Sequence, residues 1–246
     1  MKKLAVIAIV LLALLGSFSA MTRAMVVISM LRGAPADELS PADRANLQAL
    51  AAAVGADSSS QRYREMEEDT VFASARFNAL PYVTLLHVVP GMLFLLLAPL
   101  QLVPRFRSRR PRIHRRMGYV LLMFAIPFAT TGLYLSLRDP LFGIVGASAS
   151  GLAAVWFVFC GVRAYGAIRR RDIDDHRVWM LRALAIAYGI AVIRAIDLMV
   201  FVLVPVRPRV LGGPSFWAGF LLSAFVAEWW IRRSSTPQAR ALKWAS

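Results

Sequence analysis

Apolar positions along this chain come in long unbroken blocks, not in alternation. Leu4–Thr22 reads LAVIAIVLLALLGSFSAMT, and after Arg23 the apolar character resumes as AMVVISML. Five further blocks follow: Pro81–Val103, Met117–Leu137, Phe142–Tyr165, Val178–Val204 and Ser215–Ile231. At about 1.5 Å of helical rise per residue, each block crosses most or all of a hydrocarbon layer roughly 30 Å thick. None repeats with period two, the mark of a membrane β-barrel strand. The pattern predicts an all-α fold, a polytopic transmembrane helix bundle with six spans: an N-terminal anchor and a five-helix core.

The polar intervals divide the chain. Residues 1–31 form the expected anchor. Leu4–Thr22 follows the basic start MKK and could serve as a signal peptide cleaved near residue 19, because Ser17 and Ser19 are small enough for the cleavage positions. The resumed apolar run favours retention. Residues 32–79 form an extracytoplasmic, partly helical segment; Arg32–Asn78 holds eight acidic and five basic residues. Within it SPADRANLQALAAAVG predicts a short helix, capped by Ser40, opened by Pro41, boxed by Asp43 and ended by Gly55. Residues 80–233 form the five-span membrane domain, and 234–246 a basic cytoplasmic tail.

Composition confirms the solvent. The 246 residues are 58% hydrophobic and 17% charged, with a mean hydropathy of +0.58. A net charge of +15 and a pI near 11.3 would point to nucleic acid in a soluble protein. Here the position of the charge excludes that partner. MKK, Pro104–Arg116, Arg163–Arg182 and the tail after Ile231 hold 19 of the 29 basic residues. All lie on one side if six spans alternate. The positive-inside rule then places both termini in the cytoplasm of a bacterial inner-membrane protein, with anionic lipid as the expected partner of that face. The single cysteine, Cys160, excludes an internal disulfide or a cysteine-based metal site, and no metal is expected.

Charged groups within spans are costly unless paired or hydrated. Three residues stand out: His87, Arg194 and Asp197. His87 and Asp197 each lie about 10 Å below the outer ends of their spans, and Arg194 about 15 Å. Arg194 and Asp197 are spaced i, i+3, as a helical ion pair requires. These three residues are expected to form one buried polar cluster, either a self-neutralising structural pair with a neighbour or a substrate, quinone or proton site. Pro90, Pro99 and Pro127 each free a backbone carbonyl one turn earlier.

A second constellation lies at the basic side. RPRIHRRMGYVLLMF and RDIDDHRVWMLRALA both place His-Arg just before a span, at His114-Arg115 and His176-Arg177. Spans two and three thereby match spans four and five as a tandem helical hairpin, which would put both histidines at one level facing a common axis. Gly118, one turn after His114, leaves room for a helix or a flat ligand. Glu228 and Gln101 read as interfacial, and Trp179, Trp229 and Trp230 as an aromatic belt. Phosphate-loop, HExxH and GxSxG motifs are absent, which leaves membrane hydrolases and ATP-driven pumps without support.

From His87 to Arg233 the chain resembles the bacterial multi-pass family called domain of unknown function 2306. The likeness rests on LHVVPGMLFLLLAPLQLVPRFRSRRPRIHRRMGYVLL, RAYGAIRRRDIDDHRVWMLRALA and AEWWIRR, in that order. It implies a membrane protein and no particular reaction. The chain is more distantly similar to haem-b cytochromes of the ascorbate- and ferric-reductase type, through His114 followed by Gly118. With three histidines in all, that likeness implies at most one bis-histidine haem, on His114 and His176. Two functions follow as expectations. One is a non-enzymatic carrier, assembly or interaction protein. The other is a haem-b or quinone-binding electron-transfer protein using His114 and His176, with Arg115 and Arg177 neutralising propionates or a semiquinone.

Overall fold

The computed structural model describes residues 2–33, 39–138, 141–204 and 206–234. The expected tail beyond Ser234 and the Asp139–Pro140 link between the third and fourth apolar blocks lie outside them. Among the described residues there are nine helices and no strand. Six are long and apolar enough to cross a membrane: α1 (Lys2–Leu31), α4 (Pro81–Leu102), α6 (Pro111–Arg138), α7 (Gly143–Arg169), α8 (Ile173–Leu203) and α9 (Pro208–Ser234). The others are α2 (Pro41–Ala53), α3 (Gln61–Ala79) and the short α5 (Pro104–Arg109).

The helices outrun the apolar blocks that predict them. α1 continues through Arg23 without a break, α6 begins at Pro111, and α8 begins at Ile173. Pro111 opens α6 where a missing N–H costs nothing. Asp172 caps α8 by accepting the Asp175 N–H at 2.9 Å. His114 and His176 therefore lie inside the opening turns of helices, not just ahead of them.

The segment between α1 and α4 folds as a helical pair across the end of the bundle. Ser40 caps α2 by accepting the Asp43 N–H at 3.0 Å, Pro41 opens the helix, and the chain leaves through Gly55 at φ +65°. α3 was not expected, and its buried face explains why: alongside Met66 it carries Asp69, Ser74 and Asn78, so an inward stripe exists without apolar periodicity. Leu47, Ala51 and Met66 pack together with Phe201 of α8. Arg62 donates to the Phe201 carbonyl at 2.7 Å, and Arg207 reaches Glu68 at 3.0 Å and Asp69 at 3.1 Å. The hydrogen bond that Arg207 donates to Glu68, then the charge of Asp69, hold Arg207 above the ordinary arginine range.

Within the bundle α8 is the most enclosed span. It packs against α7, α9, α1 and α4, while α4 lies between α1 and α6. Small residues permit the close approaches. Ile193 lies so near Gly219 that a Cβ there would collide, and Gly16 of α1 faces Leu95 and Ala191. α7 turns Ala149, Ala153, Ala164 and Ala167 inward, with Cys160 fully enclosed. The outward faces carry exposed Leu, Val, Ile and Phe, as lipid contact requires.

One packing contact follows from covalent chemistry. Pro99 has no N–H, so the Leu95 carbonyl one turn earlier loses its helical donor. The buried Tyr188 hydroxyl of α8 supplies the missing bond at 2.8 Å. Tyr188→Phe should therefore cost about 1 kcal/mol of stability in detergent unfolding. Adding Pro99→Ala, which restores the N–H, should recover most of it. A cost for Tyr188→Phe that is the same with proline or alanine at 99 would break this link.

Candidate functional site

The strongest concentration of buried charge lies towards the α2–α3 end of the bundle. Arg23 stands eight residues from the end of α1, about 12 Å along the helix. Its Nη2 approaches Asp43 Oδ1 at 3.5 Å, and its Nη1 donates to Ser74 Oγ at 2.9 Å. Ser74 passes the interaction on, donating to Asp43 Oδ2 at 2.6 Å, and Ser40 donates to the same oxygen at 3.2 Å. Phe77 lies under the guanidinium, 4.7 Å from its ring centroid. An arginine in a span thus receives its counter-charge from α2, a helix that does not cross.

Beside it, Arg194 Nη1 meets Asp197 Oδ2 at 3.9 Å on α8, the i, i+3 pair that the spacing predicts. Gly16 and Ala191 bring α1 and α8 together just below, and both helices run towards the α2–α3 end. Arg23 and Arg194 consequently lie within electrostatic reach of one another. Ser215 of α9 stands beside the Asp197 carboxylate. Arg194 Nε, Asp197 Oδ1 and Ser215 Oγ are all buried without a partner. Side-chain exposure is 19% for Arg23 and 6% for Asp43, but 36% for Arg194 and 24% for Asp197. The centre is therefore more tightly enclosed by protein on the α2 side than on the α8 side.

His87 does not join this centre. Its contacts run to α6: Nδ1 donates to the Phe128 carbonyl at 3.0 Å, with Thr131 Oγ1 at 3.4 Å, and its ring stacks on Phe128 at 5.0 Å. Gly132 leaves the space for the ring, since a Cβ there would come within 2.9 Å of Cε1. Among the described residues no contact links His87 to Arg194 or Asp197. Depth alone placed the three together; the direction in which α4 turns His87 separates them.

At the opposite, arginine-rich end, the structure brings His114 and His176 within electrostatic reach of each other, with Arg107 close to both His114 and Arg177. Each histidine is tied to the preceding span of its own hairpin. Gln101 of α4 donates to the His114 carbonyl at 3.2 Å, and His176 Nδ1 meets the Ala164 carbonyl of α7 at 2.9 Å. That carbonyl fixes the proton on Nδ1 and leaves Nε2 as the free nitrogen. His114 Nδ1 is buried without a partner, and Gly118 has open space above it. Arg177 pairs with Asp174 at 3.0 Å, while Arg115 is exposed. Desolvation, and then the charge of Arg177, pull the Arg107 guanidinium below its ordinary value.

Sequence reasoning missed two further groups. Glu228 is not simply interfacial: it accepts from Arg182 Nε and Nη2, a two-pronged ion pair joining α8 to α9. The guanidiniums of Arg163 and Arg182 both lie over the Trp179 ring, at 5.0 and 4.5 Å from its centroid. Arg23, Asp43 and Ser74 were missed because Arg23 looked like a break between two apolar runs. An arginine flanked on both sides by helix-compatible apolar sequence was the available signal.

Among the described residues, no group of His, Cys, Asp and Glu is arranged to hold a metal ion. No curated protein and no solved structure matches the chain. A family model described as predicted membrane protein (DUF2306) matches residues 84–231, which include His87, His114, His176, Arg194, Asp197 and Ser215 and leave out Arg23 and Asp43. The match spans more than half of the chain, from the first turn of α4 to the last turn of α9, and the chain belongs to this family of membrane proteins of unknown function.

Proposed function

We propose that this protein is a non-enzymatic carrier of the bacterial cytoplasmic membrane, with both termini in the cytoplasm and a solute-binding centre at Arg23, Arg194 and Asp197. One observation carries the reading: an ion pair inside the spans is incompletely enclosed by protein and keeps unpartnered polar atoms of its own, Arg194 Nε and Asp197 Oδ1. A purely structural pair would be closed and satisfied, because an unmet buried polar group costs about 1–3 kcal/mol. A bound solute would satisfy these atoms. The arginine-rich end supports the orientation through the positive-inside rule, and suits anionic lipid as its neighbour. The test is uptake by full-length protein in liposomes, offered a labelled panel of small organic anions, amines and sugars. At least one solute should enter faster than into empty liposomes, and Arg194→Gln should return its uptake to background while still folding. Coincident uptake by the native and Arg194→Gln proteins across the panel would contradict a carrier.

A second reading assigns His114 and His176 to a haem b or a quinone head group. The observation in its favour is the His176 Nδ1 contact with the Ala164 carbonyl, the arrangement that orients Nε2 for a ligand. Arg177 would serve a propionate or semiquinone charge, with Arg115 reaching it only by moving inward. A reduced-minus-oxidised visible spectrum decides the haem arm. Near one haem per chain, lost in His176→Ala and kept in His87→Ala, supports it; a featureless spectrum after expression with haem precursor removes it.

A further inference from the structure

We propose that the charge centre binds a small carboxylate, which takes Arg23 over from Asp43, so that the first turn of α2 acts as a built-in stand-in for the cargo. The inference rests on the carrier reading and names its substrate class.

Three observations converge. First, the two ion pairs of the centre differ in kind. Arg194 and Asp197 share one helix, three residues apart, so their backbones keep one spacing as long as the span is helical. Asp43 instead enters from outside the spans, on the first turn of a 13-residue helix. It can withdraw from Arg23 while every span stays in place. Second, Asp43 is bound in the manner expected of a carboxylate ligand. One oxygen faces the guanidinium, and the other accepts hydroxyl hydrogens from Ser74 and Ser40. Arg23 and Ser74 would offer an entering carboxylate the same donors; Ser40, which is on the α2 side, would leave with Asp43.

Third, a second guanidinium, that of Arg194, lies within electrostatic reach of Arg23. Arg194 Nε is buried without a partner, while the hydroxyl of Ser215, a residue only 2% exposed, stands beside the Asp197 carboxylate and helps hold it on Arg194. Two guanidiniums repel a cation at this place, whereas an oxyanion between them is attracted by both. While Asp43 is seated, Arg23 and Arg194 are balanced by Asp43 and Asp197. When a monocarboxylate replaces Asp43, the centre keeps the same net charge, so entry does not strand an uncompensated arginine in the spans. The withdrawn Asp43 carboxylate returns to water at the bundle end. Cargo entry and α2 release are therefore one exchange.

The experiment is chemical rescue of the full-length protein in detergent, with acetate as the probe and chloride at equal ionic strength as the control. Asp43→Asn leaves Arg23 without its counter-charge, so its Tm should fall and then recover saturably with acetate but not with chloride. The native chain should need more acetate for a comparable rise, with Asp43→Asn responding at about a tenth of that concentration because the internal competitor is gone. Equal effects of acetate and chloride, or equal acetate dependence in both chains, overturn the proposal. If Asp43→Asn does not fold, Ser74→Ala is the second variant. That change weakens the seat for Asp43 and for acetate alike, so Ser40→Ala is paired with it: Ser40 serves Asp43 alone, and its loss should lower half-maximal acetate relative to both the native chain and Ser74→Ala; an unchanged value in Ser40→Ala overturns the proposal. Acetate rescue without labelled-acetate uptake in liposomes would leave the carboxylate site standing and remove the carrier reading instead.

Discussion

Moving a guanidinium from water into hydrocarbon costs several kcal/mol unless a counter-charge and hydrogen-bond acceptors move with it. Arg23 and Arg194 both lie well inside spans, so the chain must supply those partners wherever the helices place them. For Arg194 the partner is built into the same helix, at Asp197. For Arg23 no acid is available one turn away, and Asp43 is carried back to it by α2. The fold of the α2–α3 segment follows from this requirement. Ser40 caps α2 and also contributes a hydroxyl to Asp43, while Ser74 places α3 against Arg23. Arg62, Arg207 and Asp69 then hold α3 on the ends of α8 and α9.

The two ends of the bundle handle charge differently. At the arginine-rich end the cations lie close to the water boundary, spread over Asp174, Glu228 and the Trp179 ring. Such contacts are inexpensive there, and they fix the angle at which α8 enters the bundle. At the α2–α3 end the charges are deeper, fewer and matched in number, yet several polar atoms stay unmet.

The spans were legible because a bilayer imposes a length and an apolar requirement that no tertiary contact overrides. Their ends were less so: Pro111 and Asp172 begin helices among arginines, where hydropathy gives no signal. The Arg194–Asp197 pair could be read from spacing within one helix. The placement of His87 could not, because depth is encoded along a span but rotation about its axis depends on neighbours such as Phe128 and Gly132. α3 and the Arg23–Asp43–Ser74 unit escaped for a related reason. Their buried face is polar, and its meaning comes from a contact between residues 31 and 51 positions apart in the chain.

The central claim is that Asp43 is the counter-charge of a membrane-embedded Arg23. A double-mutant cycle with Arg23→Gln and Asp43→Asn, read by unfolding of the full-length protein, tests it most directly. Each single change should cost about 3–5 kcal/mol, since it strands a buried charge, and the double should cost far less than their sum. Costs that add to within about 0.5 kcal/mol would show two independent residues and contradict the account.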